Sequence, residues 1–403
     1  MSKANGNKNE FASLPLNADD VARSLRPLEA ASMLPPAAFV DQEVFDWEMK
    51  NLFLGGWICL GHISQVAEQG RFIRREMGPD SIVVVGGEHG QPHAFLNVCR
   101  HRGTRVVEEA RGGGRRSFAC PYHGWTYGLD GALAAIPHAA GFPGVRESTG
   151  GLVELPCAER FGFLWVRPSP GEPLDVDAYL GPIARDFAGF GWEEHVSHAA
   201  QEWRRAYNWK VGIDISLETY HIRRTHADTI ARLFFDNVGV FDRFGPHLRN
   251  LFPKRSVVEC REIPRVRWNI REHANVLYAL FPNTVMLVQP DHLSVLHLYP
   301  DGTDACRVQT YTVVPTPPDE RAARYWDANN AIFHGALAED FHMGETAQRG
   351  FRSGANEALT FGRFEHSLAW FHEAVDAALA GAALSGTAPE REIANRTHAA
   401  GAS

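Results

Sequence analysis

Short apolar runs, separated by glycine and proline, characterise the chain from Phe39 to about Pro170. Three of these runs cover residues 81–85, 94–98 and 161–166. Runs of this length that end at turn residues are typical of β-strands. The pattern therefore predicts a small, mostly β domain in the first part of the chain.

A different pattern follows residues 167–173, which are rich in proline and glycine and predict a linker. Four β-type runs come after it, at residues 275–281, 284–289, 293–299 and 306–314. Two helical stretches then cover about residues 319–349 and 363–380. Strands followed by long helices indicate an α+β domain and not an alternating parallel one.

The two patterns divide the chain into four segments. We expect a polar leader and an N-terminal helical segment over residues 1–38, and the β domain over residues 39–170. The α+β domain is expected over residues 171–385, and a flexible tail of small and polar residues over 386–403. The fold class predicted for the whole chain is α+β.

Composition narrows the class of protein. The chain has 403 residues, of which 44% are hydrophobic and 22% charged, and this excludes disorder throughout. The net charge of -8 argues against nucleic acid or an anionic membrane as a partner. No apolar run reaches the roughly 18–20 residues that span a bilayer, and the first ten residues hold no apolar signal core. We therefore expect a cytoplasmic protein with a small-molecule or protein partner.

Two of the six cysteines have a histidine close by. Cys99-Arg100-His101 is followed, after eighteen intervening residues, by Cys120-Pro121-Tyr122-His123. Two loops that each offer a thiolate and an imidazole can close on one metal centre. The ligands occur in the order Cys-His, Cys-His, which differs from the Cys-Cys, His-His order of a zinc finger. It matches a Rieske [2Fe–2S] centre, in which two His replace thiolates on one iron.

A cluster of this kind would accept and pass on single electrons, at a potential between about −150 and +300 mV. Gly103 and Gly124 would let the backbone approach the sulfurs, and Trp125 and Tyr127 would shield the cluster from water. A zinc knuckle is the alternative, which iron and sulfide analysis would distinguish. The remaining cysteines are interpreted as buried thiols: Cys59, Cys157, Cys260 and Cys306.

A second set of candidate ligands lies between Glu218 and His226. His221 and His226 are five residues apart, about 140° around a regular helix, so both bind one ion only if the helix ends or bulges between them. Alone, such a pair is more often hydrogen-bonded or exposed than metal-bound. Two imidazoles and one carboxylate form the Fe(II) arrangement that activates O₂. The pattern does not rank three candidate carboxylates: Glu339, Asp340 and Glu345.

Taken together, the two motifs resemble the α subunit of the Rieske non-haem iron oxygenases, from about Phe39 to about Phe371. Asn208-Trp209-Lys210 and Gln348-Arg349-Gly350 are similar to further family segments. The resemblance implies Cys99, His101, Cys120 and His123 as cluster ligands, and it selects Asp340 to join His221 and His226 as iron ligands. It also implies a Rieske domain over residues 39–170 and a helix-grip, START-like catalytic domain over residues 171–385.

The resemblance further implies a homotrimer, or a multiple of trimers, in which the cluster of one subunit faces the mononuclear iron of the next. A carboxylate three residues before the first histidine ligand would join the two centres, and here it is Glu218. Ring-hydroxylating dioxygenases have Asp at this position. In having Glu at this position, the chain resembles family members that act on quaternary ammonium compounds such as carnitine or glycine betaine. The role of the nearby Asp214 stays open.

The expected activity is that of a terminal oxygenase component that hydroxylates or dealkylates a small organic substrate with O₂. The chain has no Gly-x-Gly-x-x-Gly run, so electrons from NAD(P)H would come through a separate flavin reductase, with or without a ferredoxin. One alternative is an aromatic-ring dioxygenase that forms a cis-dihydrodiol in hydrocarbon catabolism. The other is a Rieske electron carrier without oxygenase activity. Candidate pocket residues are Phe234, Phe235, Asn237, Val285, Leu287, Gln289, Val295, His297 and Phe333.

Overall fold

The computed structural model describes residues 34–379 except 174, 316 and 318, together with residues 16, 19, 22, 23 and 390–393. Its strands form three small sheets in the first half of the chain and one large sheet in the second. Long helices lie only in the second half of this described part. The prediction of a β domain followed by an α+β domain is confirmed.

The β domain consists of short antiparallel strands. In chain order these are β1 (Ile58–His62), β2 (Phe72–Met77), β3 (Asp80–Gly86), β4 (Pro92–Leu96), β5 (Arg111–Gly112), β6 (Ser117–Ala119), β7 (Thr126–Gly128), β8 (Leu133–Ala135), β9 (Glu154–Leu155), β10 (Cys157–Arg160) and β11 (Phe163–Val166). They pair in the orders β1-β11-β10, β5-β2-β3-β4-β9 and β6-β7-β8. The loops after β4 and β6 carry the two Cys-His motifs, so sheet pairing positions both motifs.

The segment before β1 is helical, and the first strand of the β domain begins at Ile58, whereas the predicted domain boundary is at Phe39. The segment contains α1 (Ala37–Val40), α2 (Gln42–Glu48) and a π-helical turn, Met49–Phe53. Its buried side chains recur every three to four residues, which is the helical and not the strand period: Val44, Phe45, Glu48, Met49, Leu52 and Phe53. The rest of the predicted leader, apart from residues 16, 19, 22 and 23, lies outside the described residues.

This helical segment packs on the second half of the chain. The Phe39 ring stacks on Phe351 with centroids 4.6 Å apart. The Phe39 carbonyl accepts hydrogen bonds from Asn208 Nδ2 at 3.3 Å and Gln348 Nε2 at 3.1 Å. The segment therefore belongs structurally with the α+β domain, although the β domain separates the two in sequence.

A buried ion pair fastens α2 to α6 (Trp209–Ser216). The Glu48 carboxylate accepts from Lys210 Nζ at 2.5 Å and from Trp209 Nε1 at 2.9 Å. The side chains of Glu48 and Lys210 are 1% and 0% exposed. Buried charges are tolerated only when they are paired and hydrogen-bonded, which explains why these residues occur together.

One antiparallel sheet forms the centre of the α+β domain. Its strands are β12 (Val196–Arg205), β13 (Val240–Phe244), β14 (His247–Pro253), β15 (Ala274–Leu280), β16 (Thr284–Val288), β17 (Leu293–Pro300), β18 (Cys306–Val314) and β19 (Glu390–Ile393). Their order is β12-β18-β17-β16-β15-β14-β13-β19. The register places Phe252 opposite Asn275, Leu277 opposite Leu287, and Leu287 opposite Ser294. Because side chains alternate between faces, these residues share one face of the sheet.

The helices that complete the fold are α3 (Val145–Thr149), α4 (Val176–Leu180), α5 (Ala184–Phe187), α7 (Ile222–Thr225), α8 (Ile270–His273), α9 (Glu320–Phe351) and α10 (His366–Leu379). Helix α9 has 32 residues and begins at Asp319, whose side chain accepts from Ala322 N–H at 2.8 Å. Helix α9 packs alongside β18: His334 Nε2 lies 3.1 Å from Thr310 Oγ1, and Asn330 accepts a hydrogen bond from Thr312. None of the helices in the described ranges is both long and apolar enough to cross a membrane.

Part of the predicted tail is a strand. Residues 390–393, within the segment predicted to be a flexible tail, form β19 and pair with β13 at the edge of the large sheet. Main-chain hydrogen bonds to an open sheet edge require no apolar side chains, and composition gave no sign of them. The other residues of the predicted tail lie outside the described part of the chain.

Candidate metal centres

The two Cys-His loops of the β domain present their four side chains to one another. Cys99 and Cys120 are buried, and their carbonyls accept hydrogen bonds from Gly103 N–H at 2.9 Å and Gly124 N–H at 3.0 Å. Both glycines have positive φ angles, 75° and 70°, which a side chain would strain. The tight turns that result bring the rings of His101 and His123 to a centroid distance of 4.5 Å.

The surroundings of these loops suit a metal cluster. His101 Nδ1 is buried without a hydrogen-bond partner among the described residues, a costly arrangement that a metal ion would relieve. Trp125 stacks on the His101 ring at 4.9 Å. The Tyr127 hydroxyl lies 3.3 Å from Cys99 Sγ and accepts from Arg100 N–H at 2.9 Å. Two buried thiols and two imidazoles are the donor set of a Rieske cluster, so the residues present fit this group.

The second candidate centre begins at a helix of a single turn. His221 is the N-cap of α7 and His226 its C-cap, so the helix is interrupted at both histidines, as two ligands five residues apart require. Their Nε2 atoms lie 3.1 Å apart. Asp340, on α9, places Oδ1 3.5 Å from His221 Nε2 and 3.1 Å from His226 Nε2. Ligand atoms of all three residues lie within 4.8 Å of one another.

The Nδ1 protons of His221 and His226 point away from the place where the two Nε2 atoms and Asp340 Oδ1 meet. His226 Nδ1 lies 2.7 Å from Glu339 Oε2, and His221 Nδ1 contacts Glu218 Oε1. An ionised carboxylate only accepts hydrogen bonds, so each histidine donates through Nδ1 and directs the lone pair of Nε2 inward. Asp340 Oδ1 is buried without a hydrogen bond from the described residues. Three lone pairs facing one another repel unless a cation lies between them, which fits a metal ion.

The surrounding charge agrees with this conclusion. Burial lowers the pKa of His221, but the hydrogen bond and charge of Glu218 and the charge of Asp340 outweigh it, so the pKa is raised. The pKa of His226 is raised in the same way, against burial, by Asp340 and Glu339. The site therefore favours positive charge at the point where Nε2 and Oδ1 meet.

The structure separates the three carboxylates that the sequence did not rank. Asp340 faces both Nε2 atoms, whereas Glu339 holds His226 Nδ1 and accepts from Thr229 Oγ1 at 2.8 Å. Glu345 accepts from Ala206 N–H at 3.4 Å, away from both histidines. The part played by Glu339 was not foreseen, because neighbouring acidic residues on a helix give no sign of which one meets a ligand.

A cavity of about 350 Å³ opens beside the second centre, between the sheet and α9. Most of its lining is aliphatic or phenyl: Ile215, Ile222, Ile230, Leu233, Phe234, Phe252, Leu277, Val285, Leu287, Leu296, Ile332, Phe333, Ala336 and Leu337. His221, His226 and Asp340 also line it. An apolar cavity with a few polar groups is the usual form of a small-molecule site.

The candidate pocket residues are only partly correct. Five of them line the cavity: Phe234, Val285, Leu287, Gln289 and Phe333. Four do not: Phe235, Asn237, Val295 and His297. On β17 the cavity is lined by Ser294 and Leu296, so the alternation of the strand turns Val295 and His297 to the opposite face. His297 there contacts the hydroxyls of Thr284 at 2.9 Å and Tyr311 at 3.0 Å.

Other residues singled out in the sequence lie away from the cavity. Asp214 Oδ1 lies 2.9 Å from His372 Nε2 and does not line it. Cys260 and Cys306 are buried and not in disulfides. Burial raises the pKa of Cys59 and of Cys157 to about 12, so both remain thiols at neutral pH.

Comparisons with known proteins match both parts of the chain. Residues 56–154 match the family model of the Rieske [2Fe–2S] domain. Residues 192–381 match that of the catalytic domain of the ring hydroxylating alpha subunit. Both candidate metal centres fall within the matched residues.

Relatives and solved structures are similar over most of the chain. Choline monooxygenase of Beta vulgaris is 28% identical over 86% of this chain and 78% of that protein. For biphenyl 2,3-dioxygenase subunit alpha of Rhodococcus jostii the identity is 29%, over 64% of this chain and 55% of that protein. The match to this dioxygenase subunit thus spans about half of its length. The quaternary ammonium Rieske monooxygenase CntA is 22% identical at a TM-score of 0.77, covering 90% of this chain and 98% of its own. Naphthalene 1,2-dioxygenase from Rhodococcus sp. gives a TM-score of 0.72 at 20% identity, covering 90% and 97%. These structures share the fold.

Proposed function

The chain belongs to the Rieske non-haem iron oxygenases, and from that premise we propose that it is a terminal oxygenase component. It would use O₂ and electrons from a separate NAD(P)H-linked reductase to hydroxylate or dealkylate a small, largely apolar substrate. The convergence of His221, His226 and Asp340 in the wall of an apolar cavity of about 350 Å³ carries the proposal. An electron carrier has no use for such a cavity beside its metal ligands.

The family implies a Rieske cluster and a mononuclear iron, as the sequence predicted. We propose Cys99, His101, Cys120 and His123 as the cluster ligands, and His221, His226 and Asp340 as the iron ligands. When bound, the cluster supplies single electrons and the iron activates O₂.

The protein's own residues orient the ligands and exclude water. Glu218 and Glu339 accept the Nδ1 protons of His221 and His226 and so fix the direction of both rings. The apolar walls, including Val285, Leu287 and Phe333, would desolvate the substrate and hold it beside the three ligands.

We also propose that the active unit is a homotrimer or a multiple of trimers, with Glu218 joining the cluster of one subunit to the iron of the next. The Glu218 side chain is 11% exposed, so a partner can reach one edge of it. Tyr122 and Tyr220, next to His123 and His221, are 56% and 57% exposed. Large exposed rings beside both centres are expected if each centre lies at an interface.

The partners follow from the family, whose oxygenase components work with separate reductases or ferredoxins and act on small substrates. A flavin reductase, with or without a ferredoxin, is therefore part of the proposal. We place the protein in the cytoplasm, where NAD(P)H is available and where reducing conditions keep cysteine ligands as thiols.

Iron counting after anaerobic loading tests the mononuclear site. We expect about three iron atoms per chain in the wild type and about two in His221→Ala, with the cluster spectrum unchanged in the variant. His342→Ala is the matched control, because His342 is exposed on the same helix as Asp340 and should leave the count unchanged. Two iron atoms per wild-type chain would support the electron carrier.

Turnover tests the activity itself. With a reconstituted reductase, we expect O₂ uptake coupled to product for at least one member of a panel that contains quaternary amines and aromatic acids. Glu218→Gln should retain the cluster and, at saturating iron, the mononuclear centre, yet lose most coupled turnover. Unchanged turnover in this variant would remove Glu218 from the path between the centres.

A further inference from the structure

A group of polar side chains lies in the lining of the largely apolar cavity, away from the iron ligands. Lys254 directly follows β14, Asn275 lies on β15, and Gln289 directly follows β16. Phe252 pairs with Asn275, and Val276 pairs with Val288. Continuing that register places Gln289 opposite Asn275. The three residues thus lie at neighbouring strand ends: Gln289 is opposite Asn275, and Lys254 lies two residues beyond Phe252, the partner of Asn275.

This polar end lies far from the iron ligands. Along the cavity, α9 runs from Asn329 to Asp340, an advance of about 16 Å at 1.5 Å per residue. Gln289 N–H donates to the His292 carbonyl at 3.0 Å, and the His292 ring contacts Trp326, near the start of α9. This polar end therefore lies near the beginning of α9, and Asp340 lies at the opposite end of the cavity.

Lys254 and Asn275 have incomplete sets of partners among the described residues. Lys254 Nζ donates to the Glu272 carbonyl at 3.2 Å, and no carboxylate of the described residues lies within 4.0 Å of it. Asn275 is 7% exposed, and its Oδ1 has no hydrogen-bond partner in the described part of the chain. A buried polar group without a partner is destabilising, so the side-chain amide of Asn275 indicates a polar ligand at this end.

Electrostatics favour an anionic ligand. Burial lowers the pKa of Lys254, and the charges of Asp291 and Glu272, which raise this pKa, do not outweigh the effect of burial. The oxygen and nitrogen of an amide are exchangeable by rotation, so Asn275 can turn its NH₂ group toward an anion. A carboxylate accepts from both an ammonium group and an amide, and it provides the missing negative charge.

We propose that Lys254 and Asn275 form a carboxylate-binding subsite, so that the substrate is an apolar molecule with an acid group at one end. Its carboxylate pairs with Lys254 and accepts from Asn275, while its apolar body extends along the cavity toward His221, His226 and Asp340. This inference rests on the proposed oxygenase function and names the substrate class of the same site.

A cation in place of the carboxylate fits less well. A trimethylammonium group at this end would meet the charge of Lys254, which repels it. The aromatic residues of the lining are all phenylalanines, Phe234, Phe252 and Phe333, whose faces bind cations less strongly than tryptophan does. The acidic side chains of the lining, Glu218 and Asp340, lie at the iron end, where the metal offsets their charge.

Calorimetric titration with three probes of similar shape tests the subsite without requiring turnover. The probes are 4-phenylbutanoate, its neutral amide and 4-phenylbutyl-trimethylammonium, each titrated into the metal-loaded protein. We expect the acid to bind at least tenfold tighter than the amide, and the trimethylammonium compound to bind most weakly. Lys254→Met, which keeps the apolar stem, should weaken acid binding by about 10- to 100-fold, or about 1.4–2.8 kcal/mol. The affinity for the amide should change less than twofold.

Further variants separate charge from structure. Lys254→Arg should retain the preference for the acid, and Asn275→Leu should reduce it. Lys50→Met is the matched control, because Lys50 is exposed on the helical segment before β1, and it should leave all three affinities unchanged. The subsite is refuted if the acid and the amide bind equally, if Lys254→Met weakens all probes alike, or if the acid fails to bind at millimolar concentration.

Failure of the subsite and failure of the oxygenase function give different results. If acid binding depends on Lys254 but the reconstituted system oxidises no substrate, the subsite stands and the proposed activity fails. If a substrate is oxidised while Lys254→Met leaves the ratio of acid to amide affinity unchanged, the activity stands and the subsite is wrong.

Discussion

Glu339→Gln is expected to weaken metal binding although Glu339 is not itself a proposed ligand. Glu339 Oε2 accepts from His226 Nδ1 at 2.7 Å and from Thr229 Oγ1 at 2.8 Å. Glutamine has the same shape but no charge, and its NH₂ group can donate to Nδ1. Such a donation favours the other tautomer, which places the proton on Nε2, 3.1 Å from Asp340 Oδ1.

The magnitude follows from the role of this carboxylate. Removing a carboxylate that orients a ligand histidine typically lowers metal affinity by about 10- to 100-fold. Each factor of ten corresponds to about 1.4 kcal/mol, so we expect a loss of about 1.4–2.8 kcal/mol. The fold should be unaffected, because the Glu339 side chain is partly exposed, at 29%.

Competition with a chromophoric chelator measures this change. Protein with an intact cluster and no mononuclear metal is titrated with Fe(II) under anaerobic conditions. Glu345→Gln is the matched control, since Glu345 lies on the same helix but accepts from Ala206 N–H and contacts neither histidine. Equal Fe(II) affinities for Glu339→Gln, Glu345→Gln and the wild type would refute the assignment of Glu339.

Three other predictions concern the interior of the protein. Glu48→Gln leaves the buried Lys210 ammonium uncompensated and should cost about 3–5 kcal/mol in the free energy of unfolding. Replacing Glu48 and Lys210 together by methionine should cost much less in denaturant titration, and equal losses would contradict the pairing. Burial lowers the pKa of His247 to about 4 and that of His297 to about 3, so the unfolded chain binds more protons between these values and about pH 6.5. Stability should therefore fall as the pH drops from 7 to 5.5, by about 1 kcal/mol for each histidine, and a His297→Gln variant with an unchanged pH slope would argue against this cause. Tyr127→Phe removes a hydroxyl 3.3 Å from Cys99 Sγ and should lower the midpoint potential of the cluster in voltammetry, whereas Tyr122→Phe, exposed beside the cluster, should not.

The sequence predicted features that depend on local spacing. The Cys99-to-His123 motif is short, and its residue types restrict the chemistry to few choices. The five-residue spacing of His221 and His226 required a break in the helix, and α7 is a single turn between them. The α+β fold class could be predicted because apolar runs typical of strands are followed along the chain by stretches with the periodicity of helices.

Features that depend on tertiary packing could not be predicted from local spacing. Residues 293–300 of β17 are all buried, so no polar alternation marks which face meets the cavity, and Val295 and His297 were assigned to the wrong face. Glu339 and Asp340 are adjacent on one helix, and only the position of α7 decides which of them meets Nε2. The partners of Phe39 are distant in sequence, so local patterns did not indicate that the segment before β1 packs on the α+β domain.

The helical segment of residues 37–53 limits how the two halves can be exchanged or expressed alone. A catalytic fragment cut at residue 170 would lack Glu48, leaving Lys210 without its counter-ion and Gln348 without the Phe39 carbonyl. Gln348 lies on α9, the helix that carries Asp340. The halves are therefore not separable modules: a chimaera that takes its electron-transfer domain from another source must keep residues 34–54 of this chain, and recombination in evolution faces the same restriction.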